Sequence, residues 1–175
     1  FVIALWDSNK KILLLARDRV GKKPLYFTTC NGVFLFASEI KSLLNYERVA
    51  RRVDPISLRQ FLVYGCVPSS RTMFDGIRKL IPGHYLVVSQ SGIRMRRYWE
   101  MPCSSRYYVN SEYCAKGVYR LLAGAVKKRL MSEVPLGAYL SGGIDSSSVV
   151  AFMVDLLDRP IICKASGRPL WDRAY

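Results

Sequence analysis

The chain has 175 residues, half of them hydrophobic, with 27 Lys and Arg against 13 Asp and Glu for a formal net charge of +14. That length suits one ordinary domain or two small ones and is enough to bury a core, whereas no apolar run approaches the ~20 residues of a bilayer-spanning helix. Five widely spaced cysteines with no Cys-x-x-Cys pair, beside the single His84, argue against a zinc site or a disulfide framework and for free thiols in a reducing compartment.

Without a leader-like segment, the sequence reads as soluble and cytoplasmic, with no membrane partner. The basic residues are dispersed over the runs 17–23, 48–52, 94–97 and 127–129, and none belongs to a nucleic-acid-binding module. A solvated basic surface is therefore expected, with no nucleic-acid partner.

Residues 1–6 are apolar with no cap or turn before them, so the chain reads as starting inside a strand. A turn at Asp7-Ser8-Asn9, strands over 11–16, 24–28 and 33–37, and a turn at Asn31-Gly32 together predict an antiparallel arrangement. Ser38 is placed to cap a short helix reaching Leu44, with Glu39 in its first turn. Asp54-Pro55 is a strong helix start, because the aspartate can accept from the first turn and proline has no N–H to lose there. Leu58, Phe61 and Leu62 share a face of that helix, and Gly65 is placed to end it.

The segment 67–84 is rich in turn residues and leads into a hairpin over 85–88 and 93–99 around Ser91-Gly92. His84 has no cysteine or carboxylate near it in sequence, so a structural role is favoured over general-base work. Proline, serines and arginine break every period over 101–109, which is read as a linker between a first domain, 1–100, and a second, 110–175. Asn110 or Ser111 then caps a helix whose apolar face takes Cys114, Val118, Leu121, Leu122, Ala125 and Leu130. Its internal glycines, Gly117 and Gly124, suggest close packing against the following strand, and the 127–129 cluster suits the negative end of the helix dipole.

The stretch with the most chemical content is Leu140-Ser141-Gly142-Gly143-Ile144-Asp145-Ser146-Ser147. A short apolar run precedes it, two glycines permit a close turn, and helical spacing follows from Ser146 to Leu157. N–H groups at a helix start have no intrahelical partner and lie at the positive end of the dipole, so such a turn is shaped for phosphate. The spacing fits neither the Walker loop nor the dinucleotide fingerprint. The run Pro160-Ile161-Ile162-Cys163 falls where a second strand is expected, with Lys164 and Ser166 interrupting the pattern after it.

Two sets of residues carry a family resemblance. Arg17-Asp18-Arg19-Val20-Gly21-Lys22-Lys23-Pro24-Leu25-Tyr26, followed by Ala37-Ser38-Glu39, resembles the glutaminase domain of class II glutamine amidotransferases. Alone, Arg17-Asp18 is equally readable as a surface ion pair and Gly21 as a turn; by resemblance Arg17, Asp18, Gly21, Pro24, Ser38 and Glu39 form a structural motif shaping strand ends beside a glutamine pocket. The loop at 140–147, preceded by Arg129-Leu130-Met131-Ser132-Glu133-Val134-Pro135-Leu136-Gly137, resembles the PP-loop of ATP pyrophosphatases.

In combination the two resemble class B, glutamine-hydrolysing asparagine synthetases. That resemblance implies an α/β chain: the antiparallel sandwich of a glutaminase domain, then the first strand and helix of a parallel PP-loop domain. It further implies ATP and Mg2+ as cofactors, with Leu140, Ser141, Gly142, Gly143, Ile144, Asp145, Ser146 and Ser147 at the ATP pyrophosphate and Asp145 near the metal. Glutamine, aspartate and ATP are the implied small-molecule partners, and a homodimer is left open. The implied activity is adenylation of the aspartate side chain and its amidation by glutamine-derived ammonia; related enzymes act on other carboxylates. The family's glutaminase nucleophile is an N-terminal cysteine, whereas residue 1 here is Phe1, so no catalytic residue is assigned and this chain alone is expected to be inactive.

Overall fold

A computed structural model describes residues 1–103 and 110–157 together with the backbone of 162 and 163. The chain divides into two compact units, Phe1–Cys103 and Ser104–Tyr175.

The first unit is built on two antiparallel sheets. One is ordered β1-β2-β6-β7, from β1 (Val2–Asp7), β2 (Ile12–Arg17), β6 (His84–Ser89) and β7 (Gly92–Arg97); the other is ordered β4-β3-β5, from β4 (Val33–Ala37), β3 (Tyr26–Cys30) and the short β5 (Arg78–Lys79). Side chains alternate across a strand, so each sheet sorts its residues onto two faces. Leu15 and Leu86 from the first sheet meet Phe27 and Phe34 from the second around buried Leu25 and Leu80, which makes the two sheets a sandwich. A second cluster is formed where α1 (Ile40–Leu44) and the loop after it bring Leu43 and Val49, together with Ile77 just before β5, against Tyr26, Cys30, Leu35 and Ala37.

Local chemistry explains most boundaries. Asp7 Oδ1 accepts from the N–H of Asn9 and Lys10, closing the first turn, and Asn31 and Gly32 both take positive φ, the conformation a two-residue hairpin turn needs. Asp54 caps α2 (Pro55–Tyr64) by accepting from Ile56 N, and Gly65 ends it at φ 69°. The expected cap on α1 is displaced by one residue. Glu39, not Ser38, is the N-cap, no side chain supplies a capping bond, and the Glu39 carboxylate is paired with Lys41 at 2.7 Å.

In the second unit α3 (Ser111–Lys127) is capped by Asn110, whose Oδ1 accepts from Glu112 N at 2.9 Å. It packs on α4 (Ile144–Leu156) through Val126, Phe152 and Met153, with Tyr119 edge-on to Phe152. The face predicted for α3 is only partly right. Leu122, Ala125 and Leu130 are partly covered, but Cys114, Val118 and Leu121 point to solvent, and Val126 is the residue that is buried.

Nor is there close packing at Gly117 or Gly124 among the described residues, where a Cβ added at either would meet nothing within 4 Å. The strand β8 (Gly137–Ala138) pairs in parallel with β9 (Ile162–Cys163), so β8, α4 and β9 form a parallel crossover unit. Lys164, Ser166 and the rest of the tail lie outside the described residues, as do the linker positions 104–109. Among the described residues no helix is long and apolar enough to cross a membrane.

Candidate functional site

The loop between β8 and α4 is built from short-range constraints. Gly142 adopts φ 84°, which a side chain would strain, and Gly143 then serves as an extended N-cap with no side-chain capping bond. Ser141 Oγ lies 2.9 Å from Ser146 Oγ and accepts from Gly143 N at 3.4 Å, while Ser146 Oγ donates to Gly143 O at 3.1 Å. Two hydroxyls from opposite ends of the turn therefore converge on the side where α4 begins.

Ser141, Gly142, Gly143, Ile144, Asp145 and Ser147 are exposed, Leu140 and Ser146 half-buried. Among the described residues no side chain caps the helix start, which leaves the first-turn N–H groups without a capping partner at the positive end of the α4 dipole. Asp145 sits in that first turn, where a carboxylate is favoured by the dipole even without a metal. Among the described residues no group of three or more His, Cys, Asp or Glu is arranged to hold a metal ion unaided.

The residues expected to shape the first unit form a different kind of assembly. The Arg17 guanidinium spends all three nitrogens on main-chain oxygens, donating from Nε to Lys23 O at 2.8 Å, from Nη1 to Leu80 O at 2.6 Å and from Nη2 to Gly21 O at 2.9 Å. It is not the surface partner of Asp18. Asp18, only 7% exposed, accepts from Lys22 N and Lys23 N and lies 3.5 Å from the Phe1 amine, and its own carbonyl accepts from Gly21 N and Gly83 N. Burial pushes the Asp18 carboxyl up, but the hydrogen bonds from the Lys23 and Lys22 N–H groups favour the carboxylate, and the carboxyl is held below its ordinary range.

Gly21 belongs here because a Cβ would fall 2.6 Å from Pro82 Cγ. Pro24 precedes the buried Leu25, while Ser38 and Glu39 lie at the start of α1. Arg17, Asp18 and Gly21 are thus brought together with the 80–83 turn, as a brace for strand ends.

Three participants, Tyr98, Thr28 and Arg71, gave no signal in sequence. Tyr98 Oη donates to Arg17 O at 2.6 Å from 81 residues away. Thr28 Oγ1 donates to Gly76 O at 2.9 Å. Asp54 holds Ser57 Oγ and Arg71 Nη1, each at 2.8 Å, as well as capping α2. Ser57 first, and then Arg71 and Ile56 N–H, keep the Asp54 carboxyl below its usual value against the opposing effect of burial. His84 Nδ1 is 2.8 Å from Pro82 O, a structural bond.

Residues 1–99 match the family described as the glutamine amidotransferase domain, and residues 117–168 match that described as asparagine synthase. The chain belongs to the glutamine-hydrolysing asparagine synthetase family. Similar curated proteins include asparagine synthetase [glutamine-hydrolyzing] 3 of Bacillus subtilis, 36% identical over 86% of this chain and 25% of its own length. They also include amidase chyE of Penicillium rubens, 38% identical over 90% of this chain and 23% of its own length. Putative asparagine synthetase [glutamine-hydrolyzing] 2 of Methanocaldococcus jannaschii is 32% identical over 90% of this chain and 31% of its length. The chain thus spans about a quarter of the length of the curated relatives it matches. The two matches follow one another along the chain, the glutamine amidotransferase domain first and asparagine synthase second.

Proposed function

We propose that this chain is part of an ATP-dependent amidotransferase that activates the side-chain carboxylate of aspartate and transfers glutamine-derived ammonia to it, giving asparagine, AMP and pyrophosphate. The observation that carries this reading is the loop at 141–147: an uncapped helix start, a left-handed Gly142 and two hydroxyls 2.9 Å apart on the same side of the turn. These groups suit an anion with several oxygens, and the donor set fits a nucleotide pyrophosphate.

Bound there, ATP would supply the leaving group that a carboxylate lacks. Ser141, Ser146 and the first-turn N–H groups would hold the departing pyrophosphate oxygens as negative charge builds on them. Asp145 is the sole carboxylate of the loop, so a magnesium ion would rely chiefly on phosphate oxygens, with Asp145 positioned to contribute. The Arg17 brace holds strand ends in the glutaminase portion.

A second reading is favoured by one specific observation: a relative named as an amidase is as similar to this chain as those named as asparagine synthetases. Aspartate is then not the required substrate, and another carboxylate can take its place as acceptor. The test is ATP–pyrophosphate exchange by the polypeptide extended to the length of its relatives, with aspartate and with other carboxylates offered in turn. Exchange dependent on aspartate is the expected result, and Ser141→Ala with Ser146→Ala should lower it by about a hundredfold. Exchange with a different carboxylate selects the second reading; exchange with none, or an undiminished rate in the double variant, removes the loop from this role.

A further inference from the structure

The ladder between β6 and β7 ends at the pair His84 and Arg97, so the sheet itself places no demand on the residues that follow. Tyr98 and Trp99 are nonetheless held from several sides. Their N–H groups both donate to Gly83 O, at 2.9 and 3.1 Å, and Tyr98 Oη donates to Arg17 O at 2.6 Å. The Arg19 guanidinium lies 6.0 Å from the centre of the Trp99 ring, and the Trp99 main chain closes over Gly83, where a Cβ would fall 2.6 Å from its oxygen.

The ring closes through the 80–83 turn. Arg17 Nη1 donates to Leu80 O at 2.6 Å, and Gly83 N donates to Asp18 O at 3.0 Å. Three segments far apart in sequence, 17–19, 80–83 and 98–99, are thus each joined to the other two. The consecutive residues Arg17, Asp18 and Arg19 are all spent on this ring, and every partner lies within the first unit. Glu100 pairs back to Arg97 at 2.8 Å and so spans the held residues.

The ring's consequence follows from its place in the chain. The first unit ends at Cys103, four residues after Trp99 and six after Arg97, where the ladder stops. At about 3.5 Å per extended residue, the lead to that boundary is about 14 Å with the ring closed and about 21 Å without it.

We propose that Tyr98 and Trp99 are positioning residues for amide transfer: gripped by Arg17-Asp18-Arg19, they fix where the chain leaves the first unit and keep nitrogen released by one half deliverable to the carboxylate activated by the other. This rests on the amidotransferase reading, in which each half performs one part of a single reaction. Ammonia freed into water is protonated and loses its nucleophilic lone pair, so transfer depends on the halves keeping one arrangement. A displacement of about 1 Å can cost about a hundredfold in rate.

The experiment uses the polypeptide extended to the length of its relatives, unaltered, as Tyr98→Phe, and with Tyr98→Phe and Trp99→Leu combined. Glutamate released per amide formed is measured with glutamine as donor, beside glutamine hydrolysis alone and amide formation from free ammonium. The ratio is expected to rise at least about threefold in the double variant and less in Tyr98→Phe, while the two separate activities stay within about twofold. An unchanged ratio overturns the proposal, and so does a parallel fall in all three rates, which marks residues that only hold the unit together. The arrangement is read without turnover from the distance between spin labels on Lys10→Cys and on Cys114, the other cysteines being replaced. One narrow distance is expected, broadening in the double variant; an unchanged distribution overturns the proposal. An enzyme that amidates no carboxylate removes the amidotransferase reading instead, and the label distances still decide whether the ring fixes the exit of the chain.

Discussion

At the scale of single residues, the first unit depends on groups whose charge or missing side chain is matched to one place. Asp18 illustrates the charged case. Its carboxyl is held below its ordinary range in the fold, so it binds a proton less readily there than in the unfolded chain. Stability from this group is fully present above the unfolded value of about 4 and is lost as pH falls toward the folded one. Equilibrium unfolding should therefore show stability declining below about pH 4, and Asp18→Asn should flatten that decline while lowering stability at neutral pH. An unchanged slope in the variant would mean that the carboxylate is not responsible.

Gly83 illustrates the missing side chain. It takes φ 68°, and a Cβ there would fall 2.6 Å from the main-chain oxygen of Trp99, an atom that cannot swing aside like the tip of a flexible side chain. Gly83→Ala should cost about 2 to 4 kcal/mol, measured as a shift in the denaturant midpoint. The neighbouring Arg17 fork needs the 80–83 turn in place, since Leu80 O is one of its acceptors.

Among the elements, α3 separates propensity from packing most cleanly. Gly117 and Gly124 lie in the helix interior with open space where a Cβ would sit, so they weaken the helix without permitting any close approach. Replacing either by alanine should raise stability by about 1 kcal/mol, seen as a higher unfolding midpoint at constant slope. A loss instead would show that the space is filled in the protein. α4 shows the opposite relation. Its start is left uncapped by side chains, which is a cost to the helix and the condition for binding an anion there. α2 is well bounded by Asp54 and Gly65, yet Leu58, Phe61 and Leu62 on the predicted apolar face remain exposed, and of its residues only Ser57 is buried.

For the molecule as a whole, the chain spans about a quarter of the length of the curated relatives it matches, and each unit has its own small core. In the second unit Val150 is buried, Leu140 half-covered and Val154 exposed. What the sequence determined by itself was local. Alternation and turn chemistry placed the strands, Asp54-Pro55 and Gly65 placed α2, and the glycine spacing placed a turn before α4, because each is dictated by neighbours a few residues away. The tertiary structure alone decided which apolar residues of α3 are covered and that Arg17 grips carbonyl oxygens rather than Asp18. It also joined Tyr98, Thr28 and Arg71 to partners 17 to 81 residues distant. Such bonds depend on where separate elements come to rest, and no local pattern records that.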